Sequence, residues 1–215
     1  FLLLLCSFST LFATNYTWIG GNGNWNQSAN WSPSGIPDSG DEVTINNGQV
    51  RLGSQRQILS LTITGSGVLD IEPSGGLRIN LDQSQVSVLG ELRNRGDLSV
   101  YHIQTNPSSN SALVSVVGNL YNEGVITLKA YASDLLGISS GSVLTNYGKV
   151  FLEIEMDGNG IRNYGVVDNY GRIECDISTS SLHYSLENLG GVFNNFQKGI
   201  IQVEGGGGLI STGSP

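Results

Sequence analysis

Apolar residues recur with a period of two in short runs, and a glycine opens each run. The unit is Gly-x-φ-x-φ, with φ an apolar residue. It appears as Gly48-Gln49-Val50-Arg51-Leu52, Gly75-Gly76-Leu77-Arg78-Ile79, Gly96-Asp97-Leu98-Ser99-Val100 and Gly124-Val125-Ile126-Thr127-Leu128. It continues as Gly148-Lys149-Val150-Phe151-Leu152, Gly171-Arg172-Ile173-Glu174-Cys175 and Gly199-Ile200-Ile201-Gln202-Val203. Such alternation puts the apolar pair on one face of a β-strand. The opening glycines lie 27, 21, 28, 24, 23 and 28 residues apart, a mean of about 25, which is a solenoid-like period.

Two residues before the glycine stands Asn46, Asn94, Asn122, Asn146 or Asn169, with Pro73 and Gln197 as exceptions. Late coils add a second corner, Asn163-Tyr164-Gly165 before Asn169-Tyr170-Gly171, with Asn188-Leu189-Gly190 as its counterpart one coil on. Asn and Gly tolerate positive φ, so these corners are expected to turn through left-handed backbone. Successive coils would then pair in parallel about 4.8 Å apart. Apolar rows would stack inside, and asparagine amides would form a ladder. The pattern predicts an all-β, right-handed parallel β-helix of about seven coils, a rod of roughly 34 Å. A β-sandwich also uses many short strands, but the in-phase Asn-x-Gly corners favour the solenoid. No window carries sustained helical spacing between glycines.

The ends of the chain read differently. Residues 1–13 are uncharged and mostly apolar, with the run Leu2-Leu3-Leu4-Leu5. They read as the apolar part of a signal peptide, too short to span a bilayer. No Met or basic segment precedes them, so the expectation is a chain that starts inside its signal peptide. Residues 14–42 are expected to cap the solenoid, 43–204 to form it, and 205–215 to be a Gly-rich tail or the start of further coils. Removal of the first segment leaves Cys175 without a partner and no membrane span.

Composition narrows the function classes. Charged residues are 13% and glycine is 30 of 215, about half and twice the usual shares. The net charge of −8 opposes nucleic-acid binding, which needs a basic patch. No P-loop, Gly-x-Ser-x-Gly, His-Glu-x-x-His or Cys-x-x-Cys occurs, so no cofactor is expected.

The stretch Trp18-Ile19-Gly20-Gly21-Asn22-Gly23-Asn24-Trp25-Asn26, Ala29-Asn30-Trp31, Ile36-Pro37-Asp38 and Asp41-Glu42-Val43-Thr44-Ile45 resembles the opening module of large bacterial surface proteins, the autotransporter- or adhesin-like β-helix proteins. The coils that follow are similar to their body. The resemblance implies a β-helix, a secreted or surface location, and no shared catalytic residues.

Several residues are candidates for chemistry. Trp18, Trp25 and Trp31 offer flat faces for sugar stacking, or they plug the open end of the solenoid. Asp38, Asp41 and Glu42 are candidate Ca²⁺ ligands, or a solvated turn. Glu153, Glu155 and Asp157 alternate outward along one strand. Aligning glycines places Lys129, Glu153, Asp176 and Glu204 in one column, with no dense cluster of Lys or Arg expected among the acids. Carboxylates at i and i+2 stand roughly 6.5–7 Å apart, a separation that suits an inverting glycosidase pair. Glu153, Glu155 and Asp176 are therefore the candidate carbohydrate site, against a solvated acidic face. Cys175 takes an inward position, so a buried thiol is expected. His102 and His183 fall in different coils, beside no nucleophile motif.

Three functions remain. A secreted or cell-surface structural or adhesive module without catalysis comes first, with extracellular glycans or surface proteins as partners. A carbohydrate-binding or polysaccharide-cleaving β-helix comes second. An ice-binding solenoid comes third, opposed by the irregular third positions Arg51, Arg78, Ser99, Thr127, Phe151, Glu174 and Gln202.

Overall fold

The computed structural model describes residues 13–81, 85–102, 112–177, 184–205 and 208–211. They form an all-β parallel β-solenoid of about seven turns with a repeat of about 24 residues. The expected signal segment lies almost wholly outside the described residues, as do His183 and most of the expected tail.

Each turn contributes one strand to each of three sheets. Sheet A stacks Asn15–Trp18, Glu42–Ile45, Ser60–Ile63, Val86–Val88, Val114–Val116, Leu136–Ile138, Ile161–Asn163, Leu186–Asn188 and Leu209–Ser211. Sheet B stacks Gly23–Asn24, Gln49–Leu52, Val68–Ile71, Glu91–Asn94, Asn119–Asn122, Val143–Asn146, Val166–Asn169 and Val192–Asn195. Sheet C stacks Gln55–Ile58, Gly76–Leu81, Asp97–His102, Val125–Ala132, Lys149–Asp157, Arg172–Ile177 and Ile200–Gly205. Stacked neighbours are 18 residues apart at the shortest (Thr44 on Thr62) and 28 at the longest (Ser87 on Ser115).

The core is a set of columns. On sheet B, Val50, Leu69, Leu92, Leu120, Leu144 and Val167 lie one above another and are wholly or almost wholly buried. On sheet C, Ile58, Ile79, Val100, Leu128, Leu152 and Cys175 do the same. Each full burial of a Leu or Ile contributes about 1.5–3 kcal/mol. The period-two alternation is thus satisfied on three inward faces at once.

Two features differ from the sequence reading. The first repeat unit, Val50 and Leu52, belongs to sheet B, whereas Leu77/Ile79 and the later units belong to sheet C. The matching sheet C strand of that turn is Gln55–Ile58, which lacks the opening glycine. The 27 residues from Gly48 to Gly75 therefore do not measure one turn, which is why the true repeat is nearer 24 than 25.

At the corners, Gly48 (φ +64°) and Gly190 (φ +82°) do turn through left-handed backbone as the sequence suggests, but the other corner glycines have a different cause. Gly96, Gly124, Gly148, Gly165 and Gly171 are not at positive φ, and no non-glycine residue is, among the described residues. A Cβ at Gly124 would instead lie 2.0 Å from the carbonyl oxygen of Gly96, and one at Gly148 would lie 2.1 Å from that of Gly124. The same contact recurs at Gly96 on Gly75 and Gly171 on Gly148, each at 2.2 Å. At Gly165 a Cβ would meet the carbonyl oxygens of Ser139 and Ser142. Stacked corners approach so closely that only glycine fits.

Beside them the asparagines turn inward and are buried. Asn94 Nδ2 donates to Asn122 Oδ1 (2.8 Å), Asn122 to Asn146 (2.7 Å), Asn146 to Asn169 (2.8 Å) and Asn169 to Asn195 (2.7 Å). The amides also donate to backbone carbonyls one turn on, at Val125, Lys149, Arg172 and Ile200. A second ladder starts at Asn163, which donates to Asn188 at 2.8 Å. The first ladder has a direction: Asn94 stacks on Ile71, and its Oδ1 receives no hydrogen bond among the described residues.

The N-terminal segment closes the first turn. Trp31–Ser32 pairs antiparallel with Asn15–Trp18, ending the parallel order of sheet A. Trp31 sits edge-to-face against Trp18 and Trp25, each with ring centroids 4.9 Å apart. Such contacts add about 0.5–1.5 kcal/mol beyond area burial.

Direction makes the asparagine ladder testable. Asn146→Leu removes two amide–amide bonds and strands a donor on Asn122 and an acceptor on Asn169; the expected cost is about 2–4 kcal/mol. Asn94→Leu removes one such bond and also deletes the unsatisfied Oδ1, so it should cost at least about 1 kcal/mol less. Urea unfolding of both variants checks the order. The glycine column predicts a second contrast. Gly124→Ala should destabilise by about 3 kcal/mol or more, whereas Gly21→Ala, where a Cβ meets nothing within 4 Å, should stay within about 0.5 kcal/mol. Thermal melting of the pair decides it.

Candidate functional site

The three tryptophans do not form a sugar platform. Their relative exposures are 0%, 0% and 1%, and all three indole N–H groups are spent internally. Trp18 donates to the Gly21 carbonyl at 2.9 Å, Trp25 to Pro37 at 3.4 Å and Trp31 to Trp25 at 2.7 Å. No ring face is left for a ligand, so the sugar-stacking expectation is corrected to a buried aromatic cluster.

The candidate calcium ligands do not converge. Asp41 uses one carboxylate oxygen to accept the Thr14 N–H (3.2 Å) and the other to accept the Asp38 N–H (2.9 Å). It thereby ties the chain entry to the loop before Glu42–Ile45. Among the described residues no group of three acidic, histidine or cysteine side chains could hold an ion.

Sheet C brings Lys129, Glu153, Asp176 and Glu204 into one outward column by strand register. Lys129 Nζ reaches Glu153 Oε1 at 2.6 Å and Glu155 Oε1 at 3.1 Å, so one ammonium binds both carboxylates of the i, i+2 pair. Hydrogen bonds that the Lys129 ammonium donates to Glu153 first and then to Glu155 hold it above its ordinary pKa. Beside this column Glu174 takes Lys149 and Arg172, and those two contacts, Lys149 first, hold its carboxyl below its ordinary range. Lys129 thus stands beside Glu153 as the glycine alignment placed it, and Lys149 and Arg172 bring two further cations to the neighbouring Glu174. A depression of about 150 Å³ adjoins Glu155, lined also by Tyr101, His102, Lys129 and Tyr131.

Cys175 lies at the inward end of its sheet C row, 2% exposed, with Sγ 3.7 Å from the Ser185 carbonyl oxygen. Burial pushes its thiol up to about 11.

Two surface features escaped the sequence reading. Tyr147, Tyr170 and Phe196 occupy equivalent corners between sheets B and C and stack nearly parallel, with centroids 4.7 and 4.1 Å apart. The repeated Asn-Tyr-Gly corner was the signal for this ridge. On sheet A the outward column reads Thr17, Thr44, Thr62, Ser87 and Ser115. No glycine marks that strand, so counting from glycines never sampled it.

No family model, curated protein or solved structure matches this chain. The parallel β-solenoid stands on the chain's own geometry, and no relative identifies it as an autotransporter or an adhesin. No helix among the described residues is long and apolar enough to cross a membrane.

The Cys175 environment predicts slow thiol chemistry. In a Cys6→Ser background, the folded protein should react with a disulfide reagent at pH 8 at least a hundredfold more slowly than the urea-unfolded chain, because the thiolate is the nucleophile. A raised folded pKa gives stability that is full below the unfolded value of about 9 and is lost as pH climbs through about 11. Chemical denaturation at pH 8 and pH 10.5 should show that fall, and Cys175→Ser should remove its pH dependence.

Proposed function

We propose that this chain is a secreted or cell-surface solenoid module with a structural or adhesive role and no catalytic activity. The observation that carries the reading is the set of side-chain ladders running along the rod. Four buried asparagines, Asn94, Asn122, Asn146 and Asn169, and a glycine column fix one turn on the next. That construction favours a stiff body presenting flat faces. An extracellular setting is supported by the apolar segment at residues 1–13 and by the likeness of residues 18–45 to surface β-helix proteins.

The competing glycosidase reading needs one carboxyl to hold a proton while the other takes one up. Lys129 works against that division, since the same ammonium contacts both Glu153 and Glu155 and so gives the two carboxyls a shared partner in place of contrasting surroundings. The ice-binding reading gains the hydroxyl column of sheet A, but that column is one residue wide and gives way to Gly137, Arg162 and Glu187.

The test pairs turnover with adhesion. The purified chain is expected to release no reducing ends from a panel of neutral and acidic polysaccharides, and to retain coated beads on cell or matrix surfaces. Release that Glu153→Gln or Glu155→Gln abolishes would replace this reading with the enzyme one.

A further inference from the structure

The outer face of sheet A carries a notch where its outward column changes character. Below the notch the column carries hydroxyls, ending with Ser115; above it stands Arg162, one turn past Gly137. Gly137 adds no side chain to the column, and a Cβ there would press against the Ala112 methyl at 3.0 Å. The resulting depression holds about 240 Å³. That lies below the roughly 300–1,000 Å³ of sites for drug-sized ligands and suits a single ring-sized unit.

The walls define the chemistry of the occupant. Arg162 is already committed: Nη1 donates to Asp134 at 2.9 Å and Nε to Glu187 at 2.8 Å. Two carboxylates around one guanidinium leave acceptors in excess and a net negative charge, which repels anions and favours hydroxyl donors. Gln85 lines the notch, and its Oε1 is buried and accepts no hydrogen bond among the described residues. A buried acceptor of this kind is costly until a donor reaches it. Ser115 and Ser139 add hydroxyls that can donate or accept. At the rim stands Tyr164, 47% exposed, whose ring supplies an apolar surface beside these polar groups. An aromatic rim, an excess of acceptors and a ring-sized volume together describe a site for a polyhydroxylated ring.

We propose that the sheet A notch at Gly137 binds one unit of a neutral saccharide, with its hydroxyls on Gln85, Ser115 and Ser139 and one face of the ring against Tyr164. The site is separate from the carboxylates of sheet C. It deepens the adhesive reading, on which it rests for its context, by naming the class of ligand gripped.

The full chain is titrated with a panel of neutral oligosaccharides, with uronate-containing oligosaccharides as anionic controls, by ligand-observed NMR and on a glycan array. Gly137→Leu fills the gap and Tyr164→Ala removes the rim; neither residue is needed for the ladders. Expected are saturable binding of neutral glycans over uronates and at least a tenfold loss in both variants at unchanged melting temperature. If Gly137→Leu disturbs folding, the exposed Tyr164→Ala decides alone. Neutral-glycan binding equal in wild type and Tyr164→Ala, or a preference for uronates, overturns the site. Bead adhesion with no saccharide bound sinks the notch and leaves the adhesive module standing; absence of both adhesion and saccharide binding sinks both.

Discussion

Everything in this molecule depends on parallel backbones stacked in register. Each strand pairs with its equivalent one turn away, roughly 4.8 Å along the axis, so each side chain touches the residue at the same position in the next turn. That constraint converts sequence columns into chemistry. Isoleucine on isoleucine yields a dry core. Asparagine on asparagine yields a hydrogen-bonded chain, and glycine on glycine lets corners close. A buried amide is costly when unpaired, yet here each amide from Asn122 to Asn169 both donates and accepts within its column. The constraint is also unforgiving. A residue that suits its own turn must suit the turns above and below.

The surface obeys the same geometry. Most ion pairs join different turns: Arg95 with Asp70, Lys129 with Glu153, Lys149 with Glu174, and Arg162 with Asp134 and Glu187. Single exposed pairs contribute only about 0–1 kcal/mol. Asp70 is different: it is 4% exposed, grips the Arg95 guanidinium through both oxygens and accepts Gln49 Nε2 as well. Like charges stacked at about 4.8 Å repel, yet sheet C stacks Glu153, Asp176 and Glu204 in one column and Lys149 on Arg172, with Lys129 and Glu174 supplying the opposite sign beside them.

Much of this was legible in the sequence, for a physical reason. Period-two alternation with corners in phase is what a stacked strand requires, so the parallel solenoid, its number of turns and the column Lys129, Glu153, Asp176, Glu204 could all be read by counting from glycines. The same counting failed where glycine is absent. Gln55–Ile58 opens without one, so Gly48 was placed on the wrong sheet. Sheet A is entered by no fixed marker, so its hydroxyl column and the Gly137 gap stayed hidden. The positive-φ role given to the corner glycines holds at Gly48 and Gly190 but not at Gly96, Gly124, Gly148, Gly165 and Gly171, because proximity between turns leaves no trace within one turn. Burial of the tryptophans could be argued from position but not decided. Sugar-binding and capping indoles look alike until the pairing of Trp31–Ser32 against Asn15–Trp18 is known.

Register also restricts where such a rod can recognise anything. A regular column presents the same group at every turn, and its members satisfy one another, as Tyr147, Tyr170 and Phe196 do by stacking face on face. Tyr147 and Phe196 are exposed and Tyr170 is half-buried, yet the faces they turn toward one another are already covered. A partner gains most where a column breaks, because there a neighbour is missing on one side and polar groups or space are left over. Gly137 is such a break, with hydroxyls on one side and an ion-paired arginine on the other. The acidic pair at Glu153 and Glu155 is the opposite case, since Lys129 in the adjoining turn fills the need that a ligand would have met. Interrupted columns, more than conspicuous charges or aromatic residues, are therefore the places to look for function on this fold.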